Sequence, residues 1–513
     1  LSMILSASAS NRFGAALRCG LYRRIQTFSF ADIESFHTGS LITRLTNDTT
    51  LLQQLSQSML RIFIRAPLML AGSIFMALQI NRSLISVLIL LIPVLAVIIA
   101  SVFKRAFPLF LLTQKRLDRL NTVLQENLAG VRVVKAFSGE LREEARFREA
   151  NAALCDVSLR SGRIVVLLIP LLMLAMHLGV VAVVAFGAAG VRAGRITVGD
   201  IMAYISYLAN ILQALMTLSF VLMAFSRAEA SFSRVAEVLE AGGSGSDVVR
   251  TADSGHRTPP NAAPQSVTFE NVFFSYGGKK QEESMVLSAV SFHLEPGKTL
   301  GIIGSIGSGK STLLSLIPRL CEATLGRVLV GGRDVRTIPP GELRGRVGFV
   351  MQENLLFSET IAENIRWGKP DATDAEVRRA AELAAAGEFI RALPGGYATR
   401  VGQRGVNLSG GQKQRLCIAR ALIGNPGVLL LDDCVSSVDF RTESLIRRNI
   451  SRLEATKIVV AQRVSSVMRA DMILVLERGR VAERGTHGTL WKNDGIYRAI
   501  CDSQPGAVPE ETS

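Results

Sequence analysis

Residues Thr299–Thr312 read TLGIIGSIGSGKST. TLGIIG is an apolar run of strand length, and it passes straight into GSIGSGKST at Gly304–Thr312 before an apolar helical pattern begins. Strand, glycine-rich loop and helix in that order are the context in which G-x-x-x-x-G-K-[ST] reads as a phosphate loop. Gly304, Ser305, Gly307, Ser308 and Gly309 form the loop. Its backbone N–H groups can turn inward around phosphate oxygens, at a helix N-terminus whose dipole favours anions. Lys310 is placed to reach the β- and γ-phosphates and Ser311 to bind Mg²⁺, with Thr312 following in the first turn. The glycines alone are a weak signal; the flanking strand and helix make it specific.

On the C-terminal side, Val428–Leu431 gives four apolar residues ending in Asp432, a buried strand with an acid at its tip. Asp432 is suited to help hold Mg²⁺. These two features imply only a nucleotide hydrolase. Between them Leu408–Gln412 reads LSGGQ, followed by KQRLCIARAL, a helix start rich in small and cationic residues. Ser409, the N–H groups of Gly410 and Gly411, and Gln412 would lie at a helix N-terminus, a natural place for a γ-phosphate.

On the N-terminal side the composition shifts twice. Ala241–Gln265 reads AGGSGSDVVRTADSGHRTPPNAAPQ, too rich in Gly, Ser and Pro to bury a core, so 241–265 is expected to be a flexible linker. The nucleotide domain is then expected over 266–505, with a tail at 506–513. Before the linker, Ile62–Ile80, Leu84–Phe103, Ile164–Val191 and Ile201–Phe225 are long enough to cross a bilayer, which takes about 20 residues. No amphipathic partners surround them, so 1–240 is expected to be a membrane bundle. Leu1–Ser8 reads as the tail of an earlier span. With no initiator Met and no signal peptide, the start looks like a truncation. Lys104–Arg163 is long and rich in Arg and Lys, which places it in the cytoplasm and the short loops Asn81–Ser83 and Arg192–Asp200 outside. Pro67, Pro93 and Pro170 are expected kinks. His177 and Asn210 are polar groups at membrane depth, and both cavity lining and an interhelical hydrogen bond remain open for them.

The chain of 513 residues is 48% hydrophobic with a net charge of +15. No basic patch interleaved with aromatics and no zinc pattern supports nucleic-acid binding, and the cations flank membrane spans instead. Six scattered cysteines fit a reduced cytoplasmic setting rather than a disulfide framework.

With LSGGQ in place, the chain resembles the ABC transporters of the exporter type, over essentially its whole length. The resemblance implies an α-helical transmembrane bundle followed by an α/β P-loop ATPase domain with a helical signature subdomain. It also implies ATP and Mg²⁺ as ligands, a multi-pass location in the cell membrane with the ATPase domain cytoplasmic, and efflux of a substrate across the lipid bilayer. Tyr276 in FSYGG resembles the aromatic that stacks on adenine. Gln352 in VMQENLLF resembles the Q-loop glutamine, with catalytic and metal-binding roles. Ser436–Asp439 (SSVD) resembles the D-loop. HTGSLITRLTND around Gly39–Asp48 and ENLAGVRVVKAF at Glu126–Phe137 resemble the two cytoplasmic turns that press on the ATPase domains. In this family two such domains meet head to tail, each ATP lying between the phosphate loop of one and the LSGGQ of the other.

Two positions depart from the family pattern. Asp433 stands where the family has the Glu that orients the attacking water; its side chain is shorter by one C–C bond, about 1.5 Å. A misplacement of about 1 Å can cost of order 10²-fold in rate, so Asp433 is expected to be a poor base. Gln462 in VVAQR stands where the family has His; it can donate to the γ-phosphate but cannot become cationic. Gln403, where the pattern has Glu, is a lesser oddity. Together these resemble the degenerate-site subunit of heterodimeric multidrug exporters, partnered by a second half-transporter. The alternative expectation is a homodimeric ATP-gated or regulatory membrane protein with little hydrolysis. No side chain selects the transported substrate.

Overall fold

The computed structural model describes residues 2–28, 30–63, 65–80, 84–192, 194, 196–241, 263–276, 285–434 and 438–504. The chain divides into two compact units, Leu1–Gln26 with Thr38–Ala241, and Thr27–His37 with Gly242–Ser513. Most of the segment read as a linker, 242–262, and the tail 506–513 lie outside the described residues.

The first unit is helical. Among the described residues, Thr38–Ile80, Ile85–Ala129, Glu140–Arg192 and Val198–Thr217 contain helices long and apolar enough to cross a membrane. The Ile85–Ala129 helix has 45 residues, about 68 Å at 1.5 Å per residue, against a hydrocarbon core of about 30 Å. More than half of it therefore continues beyond the bilayer. Gly130 ends it, Val131–Ala136 makes one short helix, and Glu140–Val166 begins the return. Val198–Glu240 starts at a reciprocal cap, in which Asp200 N–H donates to Thr197 Oγ1 and Thr197 N–H to Asp200 Oδ2. Where this helix meets Leu168–Arg192, Gly190 has Ile196 so close that a Cβ would fall 2.4 Å from its Cδ1. Tyr204 is fully buried and donates to the Leu84 carbonyl at 2.8 Å.

Pro93 lies inside the Ile85–Ala129 helix, as does Pro108. Pro67 and Pro170 lie near the starts of Arg65–Ile80 and Leu168–Arg192, inside the longer apolar helices Thr38–Ile80 and Glu140–Arg192. A proline offers no N–H to the carbonyl four residues earlier and its ring crowds that carbonyl, so a helix is disturbed about one turn before it. Those are the places of the wide π turn at Met59–Phe63 and the turn at Leu167. Gly39–Asp48, the first of the two segments that resemble cytoplasmic turns, is helical throughout, with a π turn over Arg44–Asp48. Its Asp48 is buried, accepting from Ser231 Oγ at 2.9 Å and from Arg234 Nε at 2.8 Å, while Arg44 pairs with Glu237 at 2.9 Å. Arg44 and Asp48 are thus satisfied within the helical unit, while Gly39, Ile42, Thr43, Thr46 and Asn47 are exposed.

The second unit contains two sheets. One is antiparallel, β1 (Val267–Phe274), β2 (Leu287–Leu294), β4 (Leu325–Val330) and β5 (Arg333–Asp334), in the order β2-β1-β4-β5. The other comprises β3 (Thr299–Gly304), β6 (Val347–Val350), β7 (Val428–Asp432), β8 (Thr456–Val460), β9 (Met472–Glu477) and β10 (Arg480–Gly485), in the order β10-β9-β3-β8-β7-β6. Among the described residues, only its β9–β10 pair is antiparallel. β7 shows why the parallel strands read as unbroken apolar runs. Val428 and Leu430 enter the core between the sheets, whereas Leu429 and Leu431 enter a second core under the helices Ile361–Arg366, Asp374–Leu383 and Gly410–Leu422.

Candidate nucleotide site

The strand order assembles the site. Side by side, β6, β7, β8 and β3 are parallel, so their carboxyl ends share one edge, where open α/β sheets bind ligands. Along that edge follow Gln352 two residues past β6, Asp432 and Asp433 at the end of β7, Gln462 two residues past β8, and the loop Gly304–Gly309 after β3.

Gly304 has φ 155° and a Cβ there would lie 2.1 Å from the Leu476 carbonyl oxygen, so the loop leaves β3 by a path only glycine permits. Gly309, at φ 95°, opens the helix Lys310–Leu316. Lys310 Nζ donates to the carbonyls of Gly304 (2.9 Å) and Ser305 (2.6 Å), so the loop curls around the ammonium. Burial pushes the Lys310 pKa down, and the charges of Asp432 and Asp433 resist that. Asp432 is 4% exposed; burial raises its pKa, while a hydrogen bond from Ser311 and the charge of Lys310 oppose the rise. The Tyr276 hydroxyl and Thr312 Oγ1 are 2.9 Å apart, and the Tyr276 ring meets Phe274 edge-on, leaving the side chain half exposed. Gln352 is exposed.

The two departures meet. Gln462 Nε2 donates to Asp433 Oδ2 at 2.9 Å. Asp433 N–H continues the ladder to Val460, its backbone is left-handed at φ 47°, and its carbonyl accepts from the buried Gln414. Burial and then the neighbouring Asp432 charge raise the Asp433 pKa; Lys310, Arg463 and the Gln462 bond pull the other way.

Ser409 caps the helix Gly410–Leu422, its Oγ accepting from Gln412 N–H while Gln412 Oε1 accepts from Ser409 N–H at 2.9 Å. Gly410 and Gly411 occupy the first turn, whose N–H groups have no intrahelical acceptor. Among the described residues, no hydrogen bond ties Ser409–Gln412 to the phosphate loop. Ser436 lies outside the described residues; Asp439 caps Phe440–Ser451 by accepting from Thr442 N–H.

Sequence reasoning missed a brace between the helix Gly410–Leu422 and the segment after Gln352. Arg420 donates to the Leu355 carbonyl (2.9 Å), the Asn364 carbonyl (2.8 Å) and Asn364 Oδ1 (2.9 Å). Fully buried Asn364 in turn pairs with both the N–H and carbonyl of Phe357, and Phe357 stacks on Trp367 at 4.2 Å. The available signal was a lone cation within the apolar run LCIARAL.

A family model for the ABC transporter transmembrane region matches residues 1–216, and one for the ABC transporter ATP-binding part matches 287–436. The ABC transporter ATP-binding protein YfiB of Bacillus subtilis is 41% identical over 512 residues, 100% of this chain and 87% of that one. The chain belongs to the ABC transporter family. The fatty acid ABC transporter ATP-binding/permease protein of Mycobacterium tuberculosis is 33% identical, over 94% of this chain and 75% of that one. A solved bacterial Atm1-family ABC exporter with ATP bound superposes with a TM-score of 0.79 at 29% identity, covering 98% of this chain and 86% of that one. This ABC transporter is therefore an exporter-type half, a multi-pass membrane domain fused to a cytoplasmic ATPase domain that binds ATP and couples its hydrolysis to transport. Halves of this kind dimerise.

Proposed function

We propose that this half-transporter works beside a second, non-identical half and carries the slower of the two ATP sites. The observation that carries the reading is the 2.9 Å bond from Gln462 to Asp433. The carboxylate that would orient water is short, and one of its oxygens is already occupied by an amide that cannot become cationic. The binding apparatus is complete beside it. Tyr276 would stack on the base, the N–H groups of Gly304–Gly309 with Ser305, Ser308 and Thr312 would wrap the phosphates, and Lys310 would turn from its own loop carbonyls onto them. Ser311 and Asp432 would offer hard oxygen donors, the kind Mg²⁺ prefers. The ion would take its remaining ligands from phosphate, water and Gln352. When bound, Mg²⁺ would neutralise phosphate charge. Ser409, Gly410, Gly411 and Gln412 would offer a capped helix N-terminus to the nucleotide on the other half.

The test is ATPase activity of the purified chain alone and with a second half carrying Glu and His at the two positions. The lone chain is expected to turn over roughly 10²-fold more slowly than the pair, and Asp433→Glu with Gln462→His to recover most of the difference. Vigorous hydrolysis by the unaltered lone chain would sink the reading.

A further inference from the structure

We infer that Gln504 is a positioning residue for Gln462, so that the helix Ile496–Asp502 sets the geometry on the γ-phosphate side of the site; the inference rests on the role proposed above for Gln462. The Gln504 side chain reaches back 42 residues in sequence. Its Nε2 donates to the Gln462 carbonyl at 2.9 Å, and its Oε1 accepts from Val464 N–H at 2.9 Å. The chemistry fixes this orientation, since a carbonyl needs a donor and an N–H an acceptor. One amide therefore brackets Arg463 and holds the backbone on both sides of it.

Gln504 is itself anchored. Tyr497 and Cys501, on the preceding helix, are fully buried and pack with Ile303, Ala461 and Val464. Ile303 immediately precedes Gly304, and Ala461 immediately precedes Gln462. The same small core thus fixes the root of the phosphate loop, the root of Gln462 and the base of the clamp. From the opposite side, Arg447 donates to the Ser465 carbonyl at 2.7 Å, and Ser466 Oγ donates to the buried Glu443 at 3.1 Å. Gln462 is exposed, and Asp433 is its side chain's hydrogen-bond partner. Where its amide points is decided by the backbone, and the backbone is held by Gln504.

The test compares Gln504→Ala and Gln504→Glu in the full chain. The Glu variant keeps the size and the acceptor for Val464 N–H but sets an oxygen against the Gln462 carbonyl, isolating that one bond. Two readouts separate the clamp from the proposal it rests on. In the otherwise unaltered protein, hydrogen exchange across residues 462–466 is expected to rise in Gln504→Ala. In the Asp433→Glu, Gln462→His background, both Gln504 variants are expected to lower kcat roughly tenfold with KM within about twofold, since the backbone bond survives the change of side chain. Unchanged exchange in Gln504→Ala overturns the inference, as does unchanged kcat, or a parallel loss of kcat, KM and unfolding temperature. If that background fails to hydrolyse ATP, the slow-site proposal falls and the exchange result alone decides the clamp.

Discussion

Asp432 and Asp433 are adjacent carboxylates held in a site that disfavours their charge. Burial raises both pKa values, and at Asp433 its neighbour raises it further. A carboxylate whose pKa is raised on folding binds more protons in the native state than in the unfolded chain. Its contribution to stability therefore falls as pH rises from the unfolded value of about 4 through the raised folded value, above which the penalty is fully present. Asp432→Asn is expected to raise the unfolding temperature of the nucleotide-free protein by about 2 °C, the scale of somewhat under 1 kcal/mol, while removing the extra stabilisation that Mg²⁺ adds to ATP. A calorimetric scan showing a lower transition for that variant would contradict the assignment. The individual residues of this site were legible because phosphate loop, strand-end acid and LSGGQ are local patterns. Their pairing was not. Asp433 and Gln462 are 29 residues apart; the sequence joins them only as two departures from one family pattern, and their direct contact emerges once β7 and β8 lie side by side. Gln504 belongs to no local pattern at all.

At the scale of elements, the helix Gly410–Leu422 does two jobs, presenting LSGGQ at one end and bracing the segment after Gln352 further along. Burial pushes the Arg420 pKa down, and its three hydrogen bonds offset that cost. Arg420→Ala is expected to destabilise the ATPase unit by about 3 kcal/mol, because charged bonds are lost and buried carbonyls are stranded. Arg420→Lys should rescue little, since one ammonium cannot copy a planar fork. Denaturant unfolding of the full chain measures both, and equal stability of Lys and Arg would refute the brace. Apolar runs made β3 and β7 readable, and hydropathy made the membrane helices readable. At Pro67 and Pro170 the helix is disturbed about one turn before each proline, where a carbonyl loses its N–H partner. The partners of Asp48 and Arg44 were not legible, because Ser231, Arg234 and Glu237 are remote in sequence.

For the molecule as a whole, two units imply two unfolding transitions rather than one. ATP at about 100 times its Kd stabilises what binds it by roughly 2.7 kcal/mol. That corresponds to about 5–10 °C for a unit of this size, and calorimetry is expected to show the shift in the ATPase transition. In the membrane unit, Asp48→Ala would strip Arg234 of its bidentate partner, and a loss of about 3 kcal/mol is expected. Exchanging the two charges, Asp48→Arg with Arg234→Asp, should recover part of it; no recovery would mean that burial rather than pairing sets the effect. The stack of Trp367 on Phe357 has one more consequence. The chain has two tryptophans, Trp367 and Trp491, and both belong to the ATPase unit. Its tryptophan emission, excited selectively above the tyrosine band, is therefore silent about the membrane half. One of the two emitters sits on the ring that Arg420 and Asn364 hold beside the Gln352 segment, so the unlabelled protein carries its own optical gauge of that joint.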